Sequence, residues 1–372
     1  MPHGATSPPT LARGVSRLAF DAVEQLTGIV ESMHANIAAV SPPLGRGTDG
    51  RTRGVTGLVY DGIRLVNAAA RATVDRGLRL LPAGAGPAKD AGAWLSALNG
   101  VLGDHLEATA NPLAIPMQLR SGGEALPLER AALAEALREA GAKPLLLVHG
   151  LCMNDRQWRR NGHDHGEALA RDLRFTPLYL LYNTGRPIAE NGRDLADLVE
   201  ALLDAWPTRS PELGILGHSM GGLVARSACE AGRAAGHAWV GRLRRLVFLG
   251  TPHHGAPLER GGRWLEGALG ASPYTAPLAR LGMARSAGIQ DLRHGLATPL
   301  PSGVACYALA GALGPGPIGD GLVPLESALG RHTTPERALA FPEAQTWIGH
   351  GLGHFDLLGR AEVYERLRRW LA

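Results

Sequence analysis

From residue 112 onward, short apolar runs alternate with longer stretches of helical period, and this alternation constrains the fold more than any other feature of the chain. A strand buried on both faces of a parallel sheet reads as a continuous apolar run, whereas a half-exposed strand alternates. Pro116–Arg120, Leu145–His149, Leu178–Tyr182, Leu213–Leu216, Arg245–Gly250 and Val304–Ala310 are the runs that predict strands. Between them, helical stretches lie near Leu128–Ala140, Gly166–Leu173, Asn191–Trp206 and Met220–Gly232. A β-α-β-α succession with short connections predicts an α/β domain over residues 111–372, with a mostly parallel central sheet flanked by helices. Residues 257–300, which contain Trp264, Leu265, Leu269, Tyr274 and Leu281, interrupt the succession and read as an inserted helical cap.

The first 110 residues have another pattern. Leu11, Val15, Leu18, Ala22, Leu26, Ile29, Met33, Ile37 and Val40 recur at steps of three and four, which is a helical period. A loop rich in Pro and Gly follows, from Pro42 to Gly50, and then a second periodic stretch with Val55, Val59, Ile63, Val66, Ala70, Val74, Leu78 and Leu81. A third, shorter one covers roughly Trp94 to Leu106. Residues 1–110 therefore read as an N-terminal helical extension packed on its neighbour. Arg46 to Lys89 carries eight cations against three acids, which keeps an interfacial role open.

A chain of 372 residues, 45% of them hydrophobic, is long enough to bury a large core. Its formal charge of +4 comes from 38 cations against 34 acids, too even a balance for a nucleic-acid footprint. The three cysteines, Cys152, Cys229 and Cys306, have no C-x-x-C spacing, so neither a disulfide framework nor a Cys-rich zinc site is expected. The N-terminus shows no basic segment followed by an apolar stretch of the kind that marks a secretory signal, and no long uncharged apolar run occurs. The expected compartment is the cytoplasm, with the N-terminal helices or the cap as the points of any peripheral membrane contact.

The sharpest local signal is Gly217-His218-Ser219-Met220-Gly221, which directly follows the run Leu213–Leu216 and opens a helical stretch. Such a strand–turn–helix step exposes the serine hydroxyl on a tight turn, and the flanking glycines let strand and helix approach. A serine hydroxyl is a weak nucleophile until a histidine takes its proton, and that histidine needs a carboxylate to fix its tautomer. Asp320, between Gly319 and Gly321 just past Tyr307–Ala310, fits the acid; Asp291 and Asp356 compete, but neither follows a strand-like run. His354 fits the base, in a Gly-rich loop before the terminal helix, ahead of His350 four residues earlier.

A tetrahedral intermediate also needs N–H donors aimed at its oxyanion. Met220 N–H supplies one, and Leu151 in His149-Gly150-Leu151 the other, with Cys152 as its neighbouring alternative. Cys152 itself reads as a small apolar filler. His163-Asp164-His165 and His253-His254 lack the third and fourth ligands that a zinc site requires and read as loop histidines. Asn183-Thr184-Gly185 reads as a polar turn or as part of a pocket rim.

These segments resemble the α/β-hydrolase superfamily, in its bacterial lipase and esterase branch, over roughly residues 112–372. His149-Gly150-Leu151 resembles its oxyanion signature, Gly-His-Ser-Met-Gly-Gly at 217–222 its serine turn, and Leu249–Gly255 its segment after strand six. Asp320–Pro324 resembles its acid loop, and His354–Leu358 its histidine loop. The resemblance implies hydrolysis of carboxylic esters through an acyl-enzyme, without cofactor, and the apolar cap residues Trp264, Leu265, Leu269 and Leu281 favour an apolar acyl group, so the expected substrate is a small-molecule ester or lipid. Acyl transfer and thioester hydrolysis use the same triad. Some members bind calcium near the position of Asp356; no second carboxylate accompanies it here, so it reads as a helix N-terminal carboxylate. From another class, a non-catalytic scaffold would use the N-terminal helices to bind a partner or a membrane.

Overall fold

The computed structural model describes residues 8–39, 51–52, 54–79, 91–138, 140–208, 211–256, 286–314 and 318–372. Eight strands form one sheet in the order β2-β1-β4-β3-β5-β6-β7-β8. They are β1 Gln118–Ser121, β2 Glu124–Ala125, β3 Pro144–Val148, β4 Thr176–Leu181, β5 Leu213–His218, β6 Leu243–Leu249, β7 Ala305–Ala312 and β8 Thr346–His350. From β4 through β8 every pairing is parallel, and β1 and β2 add an antiparallel edge. β3 and β5 are buried at every position, which is why their sequences carry no alternation.

The two faces divide these strands by parity, because successive side chains point to opposite sides. Leu146, Val148, Ile215, Leu246, Phe248, Ala308 and Ala310 join one core cluster with α4 (Arg130–Ala136), α6 (Ile188–Ala205) and α7 (Met220–Ala235). Leu145, Leu147, Leu216, Val247, Leu249 and Leu309 join the other, with α5 (His165–Leu173) and the C-terminal helix Ala361–Leu371. That last helix buries Val363, Tyr364, Leu367, Trp370 and Leu371, a three-and-four spacing that turns one stripe to the sheet. Helices on both faces of a mostly parallel sheet are the architecture that the alternation predicts.

Contacts group the described residues into two units. One holds α1 (Pro8–Ala39), α2 (Gly54–Arg79) and residues 109–113; the other holds α3 (Ala91–Ala108) and the chain from Ala114 on. Within the sheet unit, Asn99 on α3 accepts the Ile115 N–H at 2.9 Å, and the Gly103 carbonyl accepts from Asn183 Nδ2 at 2.9 Å. Within the helical unit, Asn111 Nδ2 donates to the Gly14 carbonyl at 3.1 Å. Of the expected cap at 257–300, residues 257–285 lie outside the described residues; a helix runs from Ala287 to His294.

Candidate active site

Strand β5 ends at His218, and Ser219 stands alone between it and α7 with φ 54° and ψ −126°. An L-residue is strained there, and nothing in the local sequence rewards it. Two backbone approaches force the turn. A Cβ on Gly221 would lie 2.1 Å from the Val148 carbonyl oxygen, and one on Gly217 would lie 2.6 Å from Gly222 Cα. Ser219 N–H donates to the Leu249 carbonyl at 2.8 Å, which pins the turn to β6. The side chain is 1% exposed, and its hydroxyl has no hydrogen-bond partner among the described residues.

The acid and the histidine arrive from the carboxyl ends of β7 and β8. Asp320 Oδ1 accepts the N–H groups of Leu322 at 3.0 Å and Val323 at 2.8 Å, and Oδ2 faces His354 Nδ1 at 2.6 Å. The backbone repeats the link, with His354 N–H donating to the Asp320 carbonyl at 3.1 Å. Asp320 is 3% exposed, and Gly319 and Gly321, both at positive φ, let the chain double back there. With Nδ1–H committed to the carboxylate, the acceptor left on His354 is Nε2. Ser219, His354, His218, Gly150, Leu151, Met153, Leu322 and Phe355 line one small cavity.

The loop after β3 closes the site from the other side. A Cβ on Gly150 would lie 3.0 Å from Ser219 Cβ, so this loop lies close against the serine and a side chain there would push on it. Two contacts hold it that the sequence did not announce. Tyr182 hydroxyl donates to the His149 carbonyl at 2.8 Å, and Thr184 Oγ1 accepts the Cys152 N–H at 3.1 Å. The second contact occupies Cys152 N–H, one of the two neighbouring candidates for the oxyanion, and leaves Leu151 as the other. Met220 begins α7, where first-turn N–H groups have no intrahelical partner.

Burial sets the charge of the neighbouring groups. His149, stacked on Tyr182 at 4.6 Å between ring centroids, is pushed down to about 4 by burial. Burial, reinforced by the nearby His354, holds His218 well below the usual imidazole range. His218 Nε2 lies 3.2 Å from the His354 carbonyl, so neutral His218 donates there and backs the histidine loop. Burial pushes the Cys152 thiol up to about 12, which removes it as a rival nucleophile.

The remaining sequence candidates have other occupations. Asp291 accepts the Ile188 N–H at 2.8 Å at the start of α6, and Asp356 accepts the Gly353 N–H at 2.8 Å and closes the turn that carries His354. His350 is exposed at the end of β8. His163 Nε2 and His165 Nδ1 face each other at 2.8 Å, while His165 Nε2 meets the Leu357 carbonyl at 3.0 Å. His253 Nδ1 is 3.0 Å from Arg226 Nη1 in the core, so neither histidine pair points its nitrogens at a shared centre. Asn183 bridges the Gly185 N–H and the Gly103 carbonyl, which makes its turn a structural one.

A family model described as a PGAP1-like alpha/beta domain matches residues 139–266. No curated protein matches the chain in sequence. Among solved structures, a gene product of Listeria innocua is 17% identical with a TM-score of 0.40, over 61% of this chain and 93% of that one. An esterase of Pyrococcus furiosus is 16% identical with a TM-score of 0.41, over 63% of this chain and 82% of that one. The type II thioesterase of the yersiniabactin biosynthetic pathway is 17% identical with a TM-score of 0.40, over 62% and 91% respectively. The family match covers about a third of the chain, spans β3 to β6 and contains the Ser219 turn, and the sheet built around that turn is mostly parallel with helices on both faces, the fold that the α/β-hydrolase resemblance implies.

Proposed function

We propose that the chain is a serine hydrolase of carboxylic esters with apolar acyl groups. The observation that supports this best is the buried Asp320–His354 pair, 2.6 Å apart, opening into the same cavity as the strained Ser219 turn. Ser219 attacks the ester carbonyl while His354 Nε2 takes its proton, and Asp320 holds the imidazole in the tautomer that can do so. The N–H groups of Met220 and Leu151 receive the oxyanion, at ~10²–10³ in rate for one donor. His354 then returns the proton to the leaving alcohol, and a water, deprotonated by the same histidine, releases the acyl group. The apolar acyl preference comes from the sequence between β6 and β7, with Trp264, Leu265, Leu269 and Leu281; the cavity at Ser219, about 10 Å³, is bordered by Leu151, Met153, Leu322 and Phe355.

The test is the hydrolysis of p-nitrophenyl esters from acetyl to palmitoyl, with Ser219→Ala run beside the wild type. The expected result is hydrolysis that rises beyond the acetyl ester and is abolished in the variant. An optimum at acetyl removes the acyl preference, and equal inertness of both proteins on every ester removes the catalytic reading.

A further inference from the structure

The α1–α2 hairpin is built inside out. A water-soluble helical hairpin turns apolar stripes inward and charge outward. Here the seam between the helices is charged: Asp21, 7% exposed, pairs with Arg71, and Glu31, 2% exposed, pairs with Arg64. Arg13 and Arg17 both reach Asp75, at 3.2 and 3.0 Å, and Asn67 Nδ2 donates to the Phe20 carbonyl at 3.0 Å. Large apolar side chains face the other way. Leu26, Ile29 and Met33 on α1 are 57–61% exposed, and Leu58, Leu65 and Val66 on α2 are 69–73% exposed.

At about 100° per residue, these side chains lie ~120–160° around their helices from the charged seam. The two apolar faces therefore look away from each other. A second copy docked on one of them leaves the other in water, whereas an apolar phase that surrounds the hairpin covers both. The seam needs nothing from that phase, because its charges are already paired, which is the arrangement polar groups adopt in a low-dielectric surround. Charge selects among apolar phases. Over residues 8–89 ten cations stand against six acids, and although Arg64 and Arg71 are taken up by Glu31 and Asp21 of the seam, the net positive charge favours an anionic surface. Neither helix is long and apolar enough to cross a membrane by itself, so the hairpin meets the bilayer as a pair, at its interface.

We propose that α1 and α2 form a lipid-docking hairpin that inserts its outward apolar faces into an anionic bilayer. This inference stands apart from the ester-hydrolase reading and holds whether or not Ser219 reacts. The experiment is flotation of the full chain with vesicles of phosphatidylcholine alone and of phosphatidylcholine mixed with phosphatidylglycerol, with light scattering on the lipid-free protein. Expected is flotation with the mixed vesicles, weakened by salt, and reduced about tenfold or more by Leu26→Asp or Leu65→Asp. Leu26→Ser is the milder companion, and circular dichroism confirms that helix content persists. A chain that stays at the bottom with both vesicle types overturns the proposal. So does flotation that the outer-face substitutions leave unchanged, and so does a lipid-free dimer that Leu26→Asp splits, which assigns the face to a second copy.

Discussion

Asp320→Asn is the substitution whose outcome the geometry constrains most tightly. Oδ1 accepts two main-chain N–H groups, from Leu322 at 3.0 Å and Val323 at 2.8 Å. An amide must therefore turn its carbonyl oxygen to that side, since its NH₂ would face two donors. The NH₂ is then left opposite His354 Nδ1, where the carboxylate sits at 2.6 Å. The imidazole can accept this donor only by moving its own proton to Nε2, and an Nε2 that carries a proton cannot take one from Ser219. The exchange keeps shape and volume, and the His354 N–H to Asp320 carbonyl bond is main chain and survives. The loss falls on kcat, at ~10⁴-fold, or about 5.5 kcal/mol of transition-state stabilisation, with KM little changed. Steady-state hydrolysis of the best p-nitrophenyl ester measures it, and urea unfolding checks that stability is retained. A variant within about tenfold of wild type in kcat refutes the reasoning, and the orienting group must then be sought elsewhere.

Three further outcomes follow from the same structure. Gly221→Ala sets a methyl 2.1 Å from the Val148 carbonyl oxygen, a main-chain atom that cannot swing aside, and should cost about 3 kcal/mol or more in urea unfolding; a near-neutral result removes the close-approach argument. His149 and His165 are both pushed down to about 4 by burial, so between about pH 6.5 and pH 4 the unfolded chain binds protons that the folded chain refuses. Stability should be unaffected above that window and fall as pH drops through it, by ~1.4 kcal/mol per unit for each histidine, and an unfolding free energy that is flat from pH 7 to pH 5 contradicts this. Ser219→Gly should abolish hydrolysis and yet leave the fold more stable, by about 1 kcal/mol in urea unfolding, because it relieves positive-φ strain and removes an unpartnered hydroxyl; a loss of stability counts against the strain.

The sheet was legible wherever a strand is buried on both faces, since Leu145–Val148 or Leu213–Leu216 admit no other reading at that length. β8 escaped because it is the edge strand: of Thr346-Trp347-Ile348-Gly349-His350 only Gly349 is buried, and its two-residue Gly-His end reads as loop. Ser219, Asp320 and His354 were legible from their order and flanking glycines, and the structure brings Asp320 onto His354 and places Ser219 in the same cavity. The supports around them were not. Tyr182 and Thr184 act across 33 and 32 residues, and no local pattern marks them. The N-terminal helices show the limit from the other side. Periodicity finds the stripe of Leu26, Ile29 and Met33 but not which way it faces, because that is decided by ion pairs between residues 50 and 33 positions apart.

The site gathers local costs that a core selected only for packing would not contain. Ser219 holds a conformation that glycine would adopt without strain, and its hydroxyl is buried with no hydrogen-bond partner among the described residues. His149, His218 and His354 are all buried around it, and burial holds the first two neutral where Phe or Leu would bury without that penalty. Buried histidines occur elsewhere too, at His165 and His253, but at the carboxyl ends of β3, β5 and β8 these costs fall on neighbouring residues that the continuous apolar runs behind them hold in place. Stability cannot account for the cluster, since each member works against it, and the substitutions that would relieve it are small. What the arrangement does supply is a hydroxyl and an imidazole at one cavity, with a fixed carboxylate behind the imidazole, and chemistry is the reading under which the costs make sense.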